Sequence, residues 1–186
     1  MSGVVLITGG ARSGKSAFAE KLARESGLAV GYIATAAASD EDMLARIARH
    51  RVQRPADWAT FEMYRDFESL EADARFDACG LFLLDCLTTL ATNHMMDSGL
   101  DFDTCALAEV DKLEASITAE VDTLLDMMER RGKRLVVVTN EVGMGLVPAY
   151  RMGNLFRDIA GRLNAHVARR ADEVWCMISG LPLRLK

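Results

Sequence analysis

The sequence predicts an α/β protein whose mostly parallel sheet is flanked by helices. Short runs rich in Val, Ile and Leu alternate with longer segments whose apolar residues recur every three or four positions. The first pattern is typical of buried parallel strands and the second of amphipathic helices. At least five such strands are separated by helices, which favours a single layered sheet. We expect residues 1–186 to form one domain, because no repeat or linker interrupts the pattern.

A glycine-rich loop follows the first predicted strand. Its sequence at 9–16, GGARSGKS, matches the phosphate-binding pattern G-x-x-x-x-G-K-[ST] at every fixed position. An apolar strand at 4–8 precedes it and a helix at 16–23 follows it, as the pattern requires. Glycines let the backbone approach a phosphate, and the N–H groups at the start of the helix attract its charge. We expect Lys15 to reach the β- and γ-phosphates and the Ser16 hydroxyl to bind Mg²⁺.

A second apolar strand, at 80–85, ends in Asp85, as the metal-binding strand of phosphate-loop enzymes does. Many strands end in an aspartate, so this signal becomes specific only beside the phosphate loop. Together the two patterns predict a P-loop NTPase-like (RecA-like) sheet whose magnesium site is formed by Ser16 and Asp85. Thr88 and Thr89 follow at the same edge, where they either contact a substrate or cap a helix.

The remaining elements continue the alternation along the chain. Apolar runs predict strands at 29–34, 58–64, 134–139 and 174–178, with a short edge strand at 183–186. Periodic or charged segments predict helices at 40–53, 66–75, 104–131 and 150–170. Trp58 and Phe61 are expected in the core, and His94 is expected to be structural.

The helix predicted at 40–53 carries a high local positive charge. Four arginines and His50 lie between residues 46 and 54. A solvated face paired with Glu41 and Asp42 is the usual reason for such a run. The alternative is a triphosphate-binding cluster in which neutral His50 attacks phosphorus while the arginines stabilise the charge of the transferred group. The residues alone leave both interpretations open.

Composition argues against several classes of function. The formal net charge is −5, which gives no reason to expect binding to nucleic acid or to a membrane surface. No apolar run approaches the ~20 residues of a membrane span. The four cysteines have no CxxC spacing, so we expect neither a zinc site nor a disulfide framework. Reduced thiols and an N-terminus that leads directly into a strand predict a cytoplasmic protein.

Six segments occur in the order found in one enzyme family. They are GGARSGKS at 9–16, YIAT at 32–35, RIARHRVQRPADW at 46–58, LLDCLTTL at 83–90, TNEVGMGLVP at 139–148 and FRDIAGRLN at 156–164. Over essentially its whole length the sequence resembles the bifunctional adenosylcobinamide kinase/adenosylcobinamide-phosphate guanylyltransferases of cobalamin biosynthesis. The segments at 46–58 and 139–148 make the resemblance specific, because the phosphate loop alone occurs in many nucleotide-binding enzymes.

The resemblance implies two successive reactions. ATP or GTP first phosphorylates the aminopropanol hydroxyl of adenosylcobinamide. GMP is then transferred from GTP to adenosylcobinamide phosphate, giving adenosylcobinamide-GDP and pyrophosphate. The second reaction is implied to pass through a guanylylated histidine, which falls on His50. The resemblance also implies a homotrimer.

The nucleotide contacts of the family carry over to three stretches of this chain and to two acidic residues. They are Gly9, Gly10, Ala11, Arg12, Ser13, Gly14, Lys15 and Ser16; Ala34, Thr35 and Ala36; Arg51, Val52, Gln53 and Arg54; and Glu62 and Asp85. Two positions depart from the family pattern. Arg49 stands where a second histidine is frequent, which leaves His50 as the nucleophile. Ala36 stands where serine is frequent, which removes a hydrogen bond worth roughly 1 kcal/mol.

Two other functions stay open at this stage. A small-molecule kinase without nucleotidyl transfer would form no adduct at His50. A nucleotide-controlled binding module would bind nucleotide without turnover and signal to a partner through the loop at 139–148. The sequence also leaves open whether ATP or GTP is preferred by the kinase, and whether Glu141 and Arg157 contact substrate or brace the fold.

Overall fold

A computed structural model describes residues 3–37 and 55–186, where seven strands form one sheet. The strands are β1 (Gly3–Gly9), β2 (Val30–Ala34), β3 (Ala59–Glu62), β4 (Leu81–Asp85), β5 (Arg134–Val138), β6 (Glu173–Ile178) and β7 (Leu181–Arg184). Their spatial order is β3-β2-β4-β5-β1-β6-β7. Every neighbouring pair is parallel except β6 and β7, which are antiparallel. The predicted mostly parallel sheet is confirmed, and the returning edge strand is present but begins two residues earlier than predicted, at Leu181.

The helices flank this sheet, again as predicted. They are α1 (Lys15–Glu25), α2 (Leu87–Asp97), α3 (Leu107–Arg130) and α4 (Arg151–Arg170), with a 3-10 helix at Phe67–Ala72. The helix predicted at 40–53 lies outside the described residues. No helix within the two described stretches is both long and apolar enough to cross a membrane.

Two helix predictions were wrong in extent. The segment at 66–75 forms only the short 3-10 helix, because Asp66 has a left-handed backbone (φ 57°) and Asp73 is extended (ψ 125°). The long helix begins at Leu107 rather than at 104, since Ala106 is extended and its N–H donates to the Glu109 carboxylate at 2.9 Å. In each case residues with a non-helical backbone mark where the helix begins or ends.

The core has two layers, one on each face of the sheet. On the larger face, α2, α3 and α4 pack against side chains such as Leu6, Phe82 and Val137. On the other face, Ala19 and Ala23 of α1 pack against alternate strand residues. Because the central strands are buried on both faces, they read in the sequence as continuous apolar runs. Each large side chain buried in this way contributes on the order of 1.5–3 kcal/mol to the stability of the fold.

The parallel strands all end at the same edge of the sheet. In open α/β sheets this carboxyl edge is where ligands bind. Strand β5 lies between β1 and β4, so the ends of β1 and β4 are two strand spacings, or about 10 Å, apart. The phosphate loop and Asp85 therefore lie at neighbouring parts of this edge.

Gly31 of β2 tests the packing of the larger layer. A Cβ at this position would stand 2.6 Å from Cε1 of Phe82 and 3.1 Å from Cε2 of Phe61. Both rings are buried, so Gly31→Ala must displace them and should lower the free energy of unfolding by about 1–3 kcal/mol in urea denaturation.

Gly161→Ala is the matched control, because a Cβ on this exposed position of α4 meets nothing within 4 Å. It should raise the stability of the fold by about 0.5–1 kcal/mol through helix propensity. Equal unfolding midpoints for Gly31→Ala and the unmodified protein would contradict the packing described here.

Candidate active site

The phosphate loop between β1 and α1 depends on two left-handed glycines. Gly9 has φ 145° and Gly14 has φ 96°. A Cβ on Gly9 would stand 2.5 Å from the carbonyl oxygen of Met177 on β6, so no side chain fits there. The Gly180 N–H donates to the Ser13 carbonyl at 3.0 Å and ties the loop to the β6–β7 turn. The loop is thus held against the sheet by its own backbone.

Free hydrogen-bond donors and a buried cation lie together on this loop. Within the described residues, the N–H groups of Gly14, Lys15 and Ser16 have no acceptor, as expected at the start of a helix. The Lys15 side chain is buried, and its Nζ donates to the Gly10 carbonyl at 2.6 Å. Burial lowers the pKa of the Lys15 ammonium, and Cys86 and Asp85 oppose this shift. A bound anion would favour the charged form of the lysine.

Ser13 supplies an independent sign that the loop is made for a ligand. Its hydroxyl is buried and has no hydrogen-bond partner among the residues that the structure describes. An unpaired buried hydroxyl costs free energy that a ligand with acceptor oxygens would recover. A polyphosphate in the loop offers such oxygens. The residues present therefore fit the nucleotide that the motif predicts.

Asp85 is oriented by a residue that the sequence reasoning missed. The Tyr32 hydroxyl donates to Oδ2 of Asp85 at 2.7 Å. In the parallel pair of β2 and β4, Ala34 is opposite Asp85, so Tyr32 is a diagonal neighbour on the same face. The only signal for this contact is a tyrosine two residues before the end of a strand, and reading it requires knowing that β2 pairs with β4.

Thr35 joins the ends of β2 and β4. Its hydroxyl accepts from the Cys86 N–H and donates to the Cys86 carbonyl, each at 2.8 Å. Its own carbonyl accepts from the Asn93 side chain at 2.7 Å. Since the hydroxyl is buried and already paired, Thr35 serves here to hold this corner of the edge in place. Ala34 and Ala36 flank it at the same edge.

A polar network links the end of β5 to the phosphate loop. Thr88 contacts Thr139 through the two hydroxyls at 3.2 Å and accepts from the Asn140 N–H at 2.9 Å. The Thr139 hydroxyl donates to Asn164 Oδ1 at 2.7 Å, and the Glu141 N–H donates to the Gly9 carbonyl at 3.0 Å. Thr88 thus braces β5, and Cys86 rather than a threonine occupies the N-cap of α2.

Most of the predicted site residues meet at this edge. The phosphate loop, residues 34–36 and Asp85 do so, and Glu62 ends β3 opposite Ala34. The histidine and the stretch after it lie outside the described residues: His50, Arg51, Val52, Gln53 and Arg54. His94 has a structural role, since its Nε2 lies 3.0 Å from the Tyr64 carbonyl oxygen.

The metal site predicted at Ser16 and Asp85 contains a single carboxylate. In the described part of the chain, no group of three or more His, Cys, Asp or Glu side chains could hold an ion. Mg²⁺ is commonly bound through one or two carboxylates together with substrate phosphates. Ser16 and Asp85 fit that kind of site, in which the nucleotide supplies other ligands.

The family described as cobinamide kinase / cobinamide phosphate guanyltransferase matches residues 5–185. The chain belongs to this family. The proteins named "Bifunctional adenosylcobalamin biosynthesis protein CobU" from Escherichia coli K12 and Salmonella typhimurium LT2 are each 42% identical, over 98% of this chain and 99% of their own. The Pseudomonas aeruginosa PAO1 protein named "Bifunctional adenosylcobalamin biosynthesis protein CobP" is 40% identical over 97% of this chain and 96% of its own.

Membership of the cobinamide kinase / cobinamide phosphate guanyltransferase family confirms the resemblance carried by the six segments. Members of the family combine a kinase and a nucleotidyltransferase, so neither a non-enzymatic switch nor a simple kinase is favoured. Nucleotide and cobinamide are the substrates of this family. A solved structure, the KaiC-like protein PH0186 of Pyrococcus horikoshii OT3, aligns with a TM-score of 0.47 at 16% identity over 94% of this chain and 70% of its own.

Gly9→Ala tests the close packing of the phosphate loop against β6. The new Cβ would press on the Met177 carbonyl, which is backbone and cannot turn aside, at a φ that alanine rarely adopts. We expect the affinity for GTP to fall by about tenfold or more, as a clash of 1–3 kcal/mol implies. Equilibrium dialysis with labelled GTP measures this change.

Gly27→Ala is the control for a glycine with positive φ, because Gly27 (φ 68°) follows the far end of α1 and has open space around it. It should lower stability modestly and leave GTP affinity intact. The loop geometry would be wrong if Gly9→Ala bound GTP as tightly as this control.

Proposed function

We propose that this edge of the sheet binds a nucleoside triphosphate for both reactions of the family. ATP or GTP phosphorylates the aminopropanol hydroxyl of adenosylcobinamide, and GMP is then transferred from GTP to adenosylcobinamide phosphate with release of pyrophosphate. One observation carries the proposal: unpaired N–H donors, a buried ammonium and an unpaired buried hydroxyl converge on the loop from Gly10 to Ser16. Such a site suits a polyphosphate.

In the kinase reaction the loop acts by positioning and by charge. The N–H groups of Gly14, Lys15 and Ser16 bind phosphate oxygens. The Lys15 ammonium gives up its hydrogen bond to the Gly10 carbonyl and binds oxygens of the β- and γ-phosphates instead. Alignment of the attacking hydroxyl and stabilisation of the spreading charge lower much of the barrier to phosphoryl transfer. Lys15 is therefore a catalytic residue in this proposal.

Ser16 and Asp85 would hold Mg²⁺ in this site. When bound, the ion neutralises charge on the phosphate oxygens. The Tyr32 hydroxyl donates to Oδ2 of Asp85 and so keeps the carboxylate in one orientation. The other carboxylate oxygen accepts no hydrogen bond within the described residues, which leaves it available as a ligand.

In the guanylyl transfer we propose His50 as the nucleophile, by resemblance to the family. Its neutral imidazole attacks the α-phosphorus of GTP, and pyrophosphate leaves with the electron pair of the broken bond. The phosphate of adenosylcobinamide phosphate then displaces the histidine. Further nucleotide contacts are proposed for Ala34, Thr35, Ala36, Arg51, Val52, Gln53, Arg54 and Glu62.

The setting of the reaction is part of the same proposal. We propose one catalytic domain over residues 1–186, a homotrimer and a cytoplasmic location. The homotrimer rests on the family resemblance. All four cysteines are free thiols, which suits a reducing compartment.

His50→Ala separates the two reactions. Without the nucleophile, guanylyl transfer from GTP to adenosylcobinamide phosphate should fall by about 10³-fold or more, whereas phosphorylation of adenosylcobinamide should change by less than about threefold. Chromatography of the two corrinoid products measures both rates in one protein preparation.

His166→Ala is the matched control, since His166 pairs with Asp122 between α3 and α4 and has no place in the proposed site. Both of its rates should equal those of the unmodified protein. An equal loss of kinase and transferase activity in His50→Ala would show instead that His50 binds the nucleotide or supports the fold.

A further inference from the structure

Glu141 lies in the middle of the candidate active site, but the proposed reactions give it no role. It follows β5, the strand that lies between the phosphate-loop strand and the strand ending in Asp85. Its N–H donates to the carbonyl of Gly9, the first residue of the loop, at 3.0 Å. The backbone of Glu141 is therefore attached directly to the loop that receives the triphosphate.

The carboxylate of Glu141 is anchored through one oxygen. Oε1 accepts from the Thr8 hydroxyl at 2.7 Å and from the Asn164 side-chain amide at 3.2 Å. Thr8 and Asn164 are both buried. Oε2 accepts no hydrogen bond from any residue in 3–37 or 55–186. One oxygen is thus held in place while the other is available to a substrate.

Asn164 is a buried polar residue whose hydrogen bonds hold this arrangement in place. It lies on the otherwise apolar inner face of α4, beside Leu163 and Val167. Its amide donates to both the Asn140 carbonyl and Glu141, and its oxygen accepts from the Thr139 hydroxyl. Burying a polar side chain on such a face costs free energy unless all its hydrogen-bonding groups are paired. Here the paired groups of Asn164 orient the end of β5.

We propose that Glu141 accepts the proton of the substrate hydroxyl in the kinase reaction, an inference that rests on the proposed function. The hydroxyl oxygen forms a bond to the γ-phosphorus as its proton passes to Oε2 of Glu141. The bond from the γ-phosphorus to the bridging oxygen breaks, and the nucleoside diphosphate leaves with the electron pair. Protonated Glu141 returns its proton to water. Thr8 and Asn164 are positioning residues for this step.

The second reaction makes no such demand. The nucleophile that displaces His50 is a phosphate that is already anionic, and the attack on GTP uses the lone pair of a neutral imidazole. A proton acceptor at Glu141 is therefore needed for the kinase reaction alone. Loss of Glu141 should therefore impair the kinase and spare the transferase, whereas loss of His50 should impair the transferase and spare the kinase.

Glu141→Gln is the direct test, because glutamine keeps an oxygen for Thr8 and Asn164 but cannot take up the proton. The kcat of adenosylcobinamide phosphorylation should fall by about 10²–10⁴-fold, the range expected for a general base. The KM for ATP, and guanylyl transfer to presynthesised adenosylcobinamide phosphate, should change by less than about threefold. Glu68→Gln, at an exposed position of the 3-10 helix, is the matched control and should change neither rate.

Two outcomes would overturn the inference. An unchanged kinase kcat in Glu141→Gln would show that the carboxylate accepts no proton. A parallel loss of kinase, transferase and nucleotide affinity would show that Glu141 only braces the loop. If the unmodified protein makes neither corrinoid product, the proposed function fails first, and that result is distinct from either outcome.

Thr8 gives a second test that does not remove the carboxylate. Thr8→Val deletes the hydroxyl that holds Oε1, and the kinase kcat should fall by about tenfold, as loss of one charge-assisted hydrogen bond implies. Thr8→Ser retains the hydroxyl and should restore the rate. Equal kcat values for the valine and serine variants would contradict a positioning role.

Discussion

The site depends on the parallel pairing of β5 with both β1 and β4. Val138 near the end of β5 is opposite Ile7 on one side and opposite Asp85 on the other. This register brings the start of the phosphate loop, the end of β5 and the Asp85 carboxylate to one edge. A slip of one residue in either pairing would turn the side chains of β5 to the opposite faces of the sheet. The apolar runs buried on both faces make such a slip costly.

In our proposal one triphosphate site at this edge serves both reactions. The kinase reaction breaks a bond at the γ-phosphorus, and the transferase reaction breaks one at the α-phosphorus. The attacking group therefore differs between the two reactions, whereas the proposed phosphate loop is the same. In our proposal Glu141 belongs to the first attack and His50 to the second. The same proposal gives the buried Lys15, which donates to the Gly10 carbonyl, a role in both reactions.

The sequence predicted those parts of the fold and site that depend on local patterns. The phosphate loop, the central strands and the position of Asp85 at a strand end are all readable from neighbouring residues, and the structure places them as expected. A helix was predicted at 66–75, but Asp66 has a left-handed backbone and Asp73 is extended, and only a 3-10 helix forms between them.

Contacts between distant segments could not be predicted in the same way. The bond from Tyr32 to Asp85 exists only because β2 pairs with β4, and the role of Asn164 appears only once α4 lies beside the residues that follow β5. Glu141 could be placed at a strand end from the sequence, but its bonds to Thr8 and Gly9 depend on β1 and β5 being neighbours. The spacing of residues along the chain does not indicate which strands are neighbours in the sheet.

We propose that the phosphate loop binds the GTP from which His50 takes GMP. Intact mass after incubation with GTP and Mg²⁺ tests it most directly, for the unmodified protein, Lys15→Ala and His50→Ala. The samples must be kept at neutral to alkaline pH, because a phosphoramidate bond is labile in acid. We predict one added GMP on the unmodified protein and none on either variant. An adduct that forms on Lys15→Ala as fast as on the unmodified protein would contradict it, since GTP would then bind elsewhere.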